Sequence, residues 1–293
     1  MTEGLQSLFT EWDAPPVVSC ALVLTAFLYS RGWMRIRRTR RALFPSWRLV
    51  CFLGGLFALF VAVASPLDTW GESLLFMHMG QHFVFMSIAP PLLLVGWPVV
   101  PLLRGLPGFV VRTFLGPIFR RRSILATVRF LIRPHVAWAA MNLSFLLWHV
   151  PRAYEYALSS EFRHNLEHLC FFWTSTLFWW SVIEPWPTRQ RNTGWVLIVS
   201  LLLSDFVNTG ISAFLCFSGR LLYPSYGQIP RPFGLSALND QVAAGAFMWV
   251  MGSIVFLIPA VAITARLLSA THRTGTVRAK EYFLKEVSHP ARD

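Results

Sequence analysis

Apolar and polar positions along this chain fall into long blocks. Seven stretches are predominantly apolar, at about 15–34, 47–66, 73–98, 134–151, 164–184, 194–217 and 239–266. Each is near the roughly 20 residues that a helix needs to cross a bilayer. Turn formers separate them: Pro66, Pro107 with Gly108, Pro151, Pro185 with Pro187, and the Pro/Gly-rich segment from Pro224 to Gly234. The pattern predicts an all-α integral membrane protein, a bundle of seven transmembrane helices. A head over 1–14 precedes the membrane domain over 15–266, and a basic tail over 267–293 follows it. Pro90-Pro91, inside the third stretch, is expected to break or kink that helix. No internal repeat is evident.

Composition supports the membrane reading. The chain is 55% hydrophobic and 14% charged, whereas a soluble domain carries roughly 25% charged residues. The net charge of +12 would suit a nucleic-acid partner in a soluble protein, but no such motif is present. The basic residues instead concentrate in alternate loops. Arg35, Arg37, Arg38, Arg40 and Arg41 follow the first stretch. Arg104, Arg112, Arg120, Arg121, Arg122, Arg129 and Arg133 follow the third. Arg189 and Arg191 follow the fifth, and Arg273, Arg278, Lys280 and Lys285 follow the seventh. The intervening loops hold only Arg152, Arg163, Arg220 and Arg231. The excess of Lys and Arg on the cytoplasmic side sets orientation, so the N-terminus is expected outside and the C-terminus in the cytoplasm. The acidic, proline-containing head (Glu11, Asp13, Pro15, Pro16) does not resemble a cleavable signal peptide. Cys20, Cys51, Cys170 and Cys216 are scattered through apolar runs without a C-x-x-C motif and read as small buried residues.

The histidines change the picture. His78 with His82, and His164 with His168, have i,i+4 spacing, which stacks both imidazoles on one helix face. His149 ends the fourth stretch. With the orientation above, all five lie in an outer layer roughly 10 Å thick, on three helices. A lone histidine at a membrane interface is more often a polar cap or a bonded core residue than a ligand. Two matched pairs plus a fifth are the pattern of a metal site. His135, His272 and His289 lie toward the other side and are set apart. Acidic and amide side chains near the same level are Asp240, a candidate ligand, Gln241 beside it, and Glu167, a ligand or an acceptor for an imidazole N–H. Met86 continues the face of His78 and His82; Met77 and Met79 flank His78; Met248 lies eight residues after Asp240. Thioether with imidazole suits copper, especially Cu(I), although a methionine also simply fills gaps in a core. Asp205, midway along the sixth stretch, is either a proton or ion relay or a hydrogen-bonded element of the packing.

Four motifs taken together resemble a known family. They are His78-Met79-Gly80-Gln81-His82 ending in Ala89-Pro90-Pro91-Leu92-Leu93; Trp148-His149-Val150-Pro151 with Tyr154; His164-Asn165-Leu166-Glu167-His168; and Asp240-Gln241 with Ala244-Gly245 and Met248-Trp249. This order, over about residues 47–266, resembles the CtaG family of multi-spanning cytochrome c oxidase assembly factors. The resemblance implies a bacterial inner (plasma) membrane protein that matures haem-copper oxidases by supplying copper. It implies His78, His82, His149, His164, His168 and Asp240 as ligands to one or two copper ions, with Glu167 in support. The expected partners are the oxidase catalytic subunit, a soluble periplasmic copper donor and the lipid bilayer, with no enzymatic turnover. Three other readings remain from the residues alone. One is an intramembrane zinc hydrolase of a lipid amide or ester, with Asp240 or Glu167 as base. Another is a haem-binding electron carrier: histidines four apart on one helix cannot occupy both faces of a haem, though His82 with His168 could, and no stretch carries histidines near both ends as a two-haem wire would need. The last is a copper transporter, for which the cytoplasmic half offers few polar groups beyond Asp205.

Overall fold

The computed structural model describes residues 12, 14–188, 192–229 and 234–288, and only the backbone from 270 onward. Glu11, Asp13, Arg189, Arg191, Arg231 and His289 lie outside the described residues. Every regular element among the described residues is a helix. Helix α1 (Pro16–Arg37) opens with proline in its first turn, where the missing N–H has no helical partner to lose. Helix α2 (Ser46–Ala64) stops at Ser65-Pro66. The Ser65 hydroxyl then caps the short α3 (Pro66–Gly71) by accepting from the Leu67 N–H at 3.2 Å.

Helix α4 (Leu75–Phe83), a π turn (Val84–Ile88) and α5 (Ala89–Val95) follow without a gap. Of the expected break or kink at Pro90 and Pro91, the break does not occur. Both lack an N–H, so the Met86 carbonyl has no backbone donor at either helical or π spacing. Neighbouring α12 (Glu161–Ile183) supplies the donors instead: the Ser175 hydroxyl, and the Trp179 indole N–H at 2.9 Å. Such re-satisfaction by a packed neighbour is what lets proline sit inside a membrane helix.

After Val95 the chain turns by 69° into α6 (Val99–Gly105). Trp97 takes a left-handed backbone there, with φ of 53°. The Arg48 guanidinium lies 3.3 Å over its ring and donates to the Val95 carbonyl at 2.8 Å. The Tyr29 hydroxyl donates to the Gly96 carbonyl at 2.6 Å. Helix α6 then packs against α1 backbone to backbone. A Cβ on Gly32 would lie 1.8 Å from the Pro101 carbonyl oxygen, and one on Gly105 would lie 1.9 Å from that of Leu28. Small residues at such crossings let membrane helices approach closely. Gly105→Ala is expected to cost roughly 1–3 kcal/mol by overpacking, read as a lower thermal midpoint in detergent. Gly54→Ala, where a Cβ meets nothing within 4 Å, is expected to lower it not at all.

The basic stretch read as a loop is mostly helical. Short α7 (Gly108–Val110), a second π turn (Val111–Leu115) and α8 (Gly116–Arg120) lead to α9 (Arg122–Leu131), with no buried side chain in any of them. Helix α9 bends by 66° into α10 (Pro134–His149). Helix α11 (Pro151–Leu158), α12, α13 (Gly194–Phe217) and α14 (Ala237–Ser288) complete the chain. Helices α13 and α14 run side by side, α4 packs on α14, and α12 lies between α5 and α10.

Among the described residues, four helices are long and apolar enough to cross a membrane: α1, α2, α13 and the Ala237–Ser269 part of α14. Counting each bent pair as one span raises the number to six. The expected fifth stretch, α12, has the length at 23 residues, but Glu161, Arg163, His164, Glu167 and His168 crowd its first two turns and lower its hydropathy. Leu202, Leu203, Phe206, Phe214 and Phe217 are exposed along α13. A soluble protein rarely leaves such a stripe uncovered, and a helix facing lipid is expected to carry one.

Candidate metal centre

Helices α4 and α12 each present one turn-spaced pair of histidines to the other. One ligand nitrogen from each of His78, His82, His164 and His168 can be chosen so that all four lie within 4.8 Å of one another. Within each pair the ring centroids are 4.2 Å apart, and across the helices His78 meets His164 at 5.1 Å and His82 meets His168 at 5.2 Å. His78, His82 and His168 are buried, while His164, in the first turn of α12, is half-buried. The cluster therefore has its accessible edge at His164, with the other three rings buried behind it.

These imidazoles are not satisfied by the fold. Nε2 of His78, His164 and His168 and both ring nitrogens of His82 are buried with no hydrogen-bond partner. Buried polar groups almost always have one. Glu167 is fully buried, with neither carboxylate oxygen hydrogen-bonded and one oxygen 3.8 Å from His82 Nε2. Several lone pairs and a carboxylate held together without donors form a donor set for a cation.

Two of the five histidines are held from behind by backbone carbonyls. His78 hydrogen-bonds the Gly71 backbone. The Gly71 carbonyl also accepts from the Tyr226 hydroxyl at 2.7 Å, and Tyr226 in turn accepts from the Tyr154 hydroxyl at 3.2 Å. Burial raises the Tyr226 phenol above its ordinary range, so it stays protonated and able to donate. His149, the last residue of α10, sits apart, its ring centroid 6.4 Å from that of His82. Its Nδ1 lies 2.8 Å from the Phe145 carbonyl. A carbonyl only accepts, so Nδ1 carries the proton and the unpartnered Nε2 carries a lone pair. This backbone-fixed tautomer is the usual arrangement of a metal-ligating histidine. The Tyr223 hydroxyl donates to the His149 carbonyl at 3.0 Å.

Asp240 is placed differently from expectation. Its two oxygens accept from the Leu75 and Phe76 N–H groups at 2.7 and 3.1 Å, so it caps the N-terminus of α4 from 165 residues away. A carboxylate there satisfies orphan donors and complements the helix dipole. Gln241 is likewise engaged: it accepts from the Leu222 N–H at 2.7 Å and donates to Ser218 at 2.9 Å, pinning the chain that leaves α13. Met79, Met86 and Met248 share a cavity with His82, whereas Met77 is half-buried and does not line it. Asp205 accepts from the Ser253 hydroxyl at 2.8 Å, a packing bond between α13 and α14.

Sequence reasoning missed Gln81, which donates to the Ala62 carbonyl at 2.8 Å and to Asp68 at 2.5 Å. An amide between two histidines of an apolar run was a visible signal. It also missed Tyr223 and Tyr226, whose partners are distant in the chain and left no local trace, and it gave Tyr154 a place in a motif but no role.

An α-helical membrane protein with a buried histidine centre is the class that fold and site define. The chain belongs to the cytochrome c oxidase caa3 assembly factor family (Caa3_CtaG), whose model matches residues 27–270. It is similar to an uncharacterized protein of Mycobacterium leprae, 23% identical over 271 residues, covering 91% of this chain and 41% of that protein. Uncharacterized proteins of Mycobacterium bovis and Mycobacterium tuberculosis are each 24% identical over 277 residues, covering 92% of this chain and 41% of theirs. The chain thus spans less than half the length of these relatives. No solved structure matches it significantly.

Proposed function

We propose that this protein is an assembly factor that binds copper in the outer half of the membrane and delivers it to the catalytic subunit of a haem-copper oxidase. The observation that carries this reading is the set of unpartnered ring nitrogens from four histidines on two helices. Membership of the oxidase assembly family supplies the recipient. Imidazoles with thioethers close by favour copper, which also tops the affinity order for divalent ions.

In this reading the chain spans the bacterial inner membrane seven times, α12 being one span, with its N-terminus outside. Copper enters at half-buried His164, from a soluble periplasmic donor, and is transferred by ligand exchange. A surplus of imidazoles lets one ligand leave before the next binds, so no bare ion arises. Tyr226, Tyr154 and Phe145 hold rings in place, and Glu167 offsets the charge of the ion.

A zinc hydrolase is the second reading, favoured by one observation: Glu167 lies beside His82 with both oxygens free of hydrogen bonds, as a general base would. Haem fits less well. The adjoining cavity is about 50 Å³, against the roughly 300 Å³ or more of pockets that hold drug-sized ligands. Elemental analysis with a visible spectrum of the purified protein in detergent tests all three. Copper without a Soret band is the expected result. Zinc alone would favour the hydrolase, a Soret band would mean haem, and no metal under copper-replete conditions would overturn the site.

A further inference from the structure

Next to the four-histidine group lies a cavity of about 50 Å³, room for a few water-sized occupants. Four thioethers line it: Met79 and the π-turn residue Met86 from the α4–α5 rod, Met141 from α10 and Met248 from α14. His82 and His149 line it as well. Of the other polar side chains on its wall, the two amides and Ser204 are engaged through their N–H and O–H groups, and Ser87 adds a neutral hydroxyl. Asn142 donates to the Trp138 carbonyl at 2.9 Å and to Ser204 at 3.2 Å, and Asn208 donates to the Met248 carbonyl at 3.0 Å. The soft and nitrogen donors left over are the thioethers, the free Nε2 of His149 and the free ring nitrogens of His82.

We propose that this cavity is a second metal position, selective for a soft monovalent ion such as Cu(I), with His82 shared between it and the four-histidine group. The proposal rests on the copper reading above and adds an internal route to it. The two compartments differ in chemistry. The first offers nitrogen and a carboxylate, which suit either oxidation state of copper and also zinc. The second offers neutral sulfur and imidazole in an apolar wall, a set that discriminates against hard or doubly charged ions. His149 completes the second position because its proton is fixed on Nδ1 by the Phe145 carbonyl at 2.8 Å. His82 swings an ion from one compartment to the other by exchanging one ligand at a time, with no change of oxidation state. The arrangement also accounts for the fifth histidine, which stands outside the group of four.

The experiment is X-ray absorption at the copper edge, with copper stoichiometry, on the full chain in detergent loaded with Cu(I) under reducing conditions. Three proteins are compared: the parent, Met86→Leu/Met248→Leu, and His164→Ala/His168→Ala. Methionine to leucine nearly conserves volume, so the double variant keeps the fold. Two copper equivalents with both sulfur and nitrogen neighbours are expected in the parent. The methionine variant, which keeps Met79 and Met141, should show a weakened sulfur signal and lose up to one equivalent; the histidine variant should keep the sulfur signal and lose the other equivalent. A parent with one equivalent and nitrogen neighbours alone, unchanged in the methionine variant, overturns the second position and leaves the copper reading standing. A parent that binds no copper overturns both.

Discussion

His82→Leu is expected to abolish metal retention in the purified protein while leaving the stability of the metal-free form unchanged or raised by about 1 kcal/mol. Leucine fills a similar volume, and the histidine it replaces has both ring nitrogens buried and without a hydrogen bond. An unpartnered buried polar group costs roughly 1–3 kcal/mol, so the metal-free fold loses nothing by its removal. The metal-loaded fold loses a buried ligand of the cluster. Affinity should then fall by more than roughly 100-fold, the upper end of what removing a merely supporting residue costs. The measurements are metal content by elemental analysis and thermal midpoint in detergent with and without copper. The parent's midpoint should rise with copper, because a ligand that binds only the folded state stabilises it. The variant's should not. A variant that unfolds readily without metal, yet retains copper, would make His82 a structural residue and remove the central argument for the site. In cells, the same substitution is expected to leave the oxidase under-loaded with copper.

Asp240→Ala is expected to destabilise the protein by roughly 3–6 kcal/mol, from the loss of two hydrogen bonds to a charged group, each about 1.5–3 kcal/mol. The Leu75 and Phe76 N–H groups that it accepts from open the helix that carries His78 and His82. The whole α4 face then loses its anchor, and metal affinity should drop roughly 10–100-fold as it does for residues that orient ligands. Asp240→Asn retains one acceptor oxygen and should fall between the two. Thermal midpoint and copper affinity measured side by side decide the role. A fall in both marks a helix cap; loss of copper with an unchanged midpoint would restore Asp240 as a direct ligand.

The same comparison separates what local pattern encodes from what it leaves open. Helix spacing placed His78 above His82 and His164 above His168, since i,i+4 neighbours share a face whatever the helix packs against. The apolar blocks, too, announced helices of membrane length, because a backbone in lipid must bond to itself. Pairwise periodicity was silent on partners from other helices. Asp240 looked like a ligand because it is acidic and near the right depth. Only the packing of α14 on α4 aims its oxygens at two backbone amides.

The double proline is the converse case. Its missing N–H groups are legible in the sequence and predict a break. That break is averted by Ser175 and Trp179, donors about ninety residues away. The basic stretch after α6 followed the usual logic of charge and turn residues toward a loop. It is helical instead, with its side chains left unburied.

The sequence by itself determined the helical, lipid-facing character of this chain, the two histidine pairs, and the family that their motifs announce. Those properties live in composition and in contacts within one or two turns, where physical chemistry is local. The tertiary structure alone decided that the two pairs face each other with their nitrogens unpartnered and that His149 turns toward a separate cavity. It also decided that Asp240 serves as a cap and that four methionines from three parts of the chain line one wall. Each of these depends on which helices pack together, and burial of polar groups far apart in sequence is settled only when the helices meet.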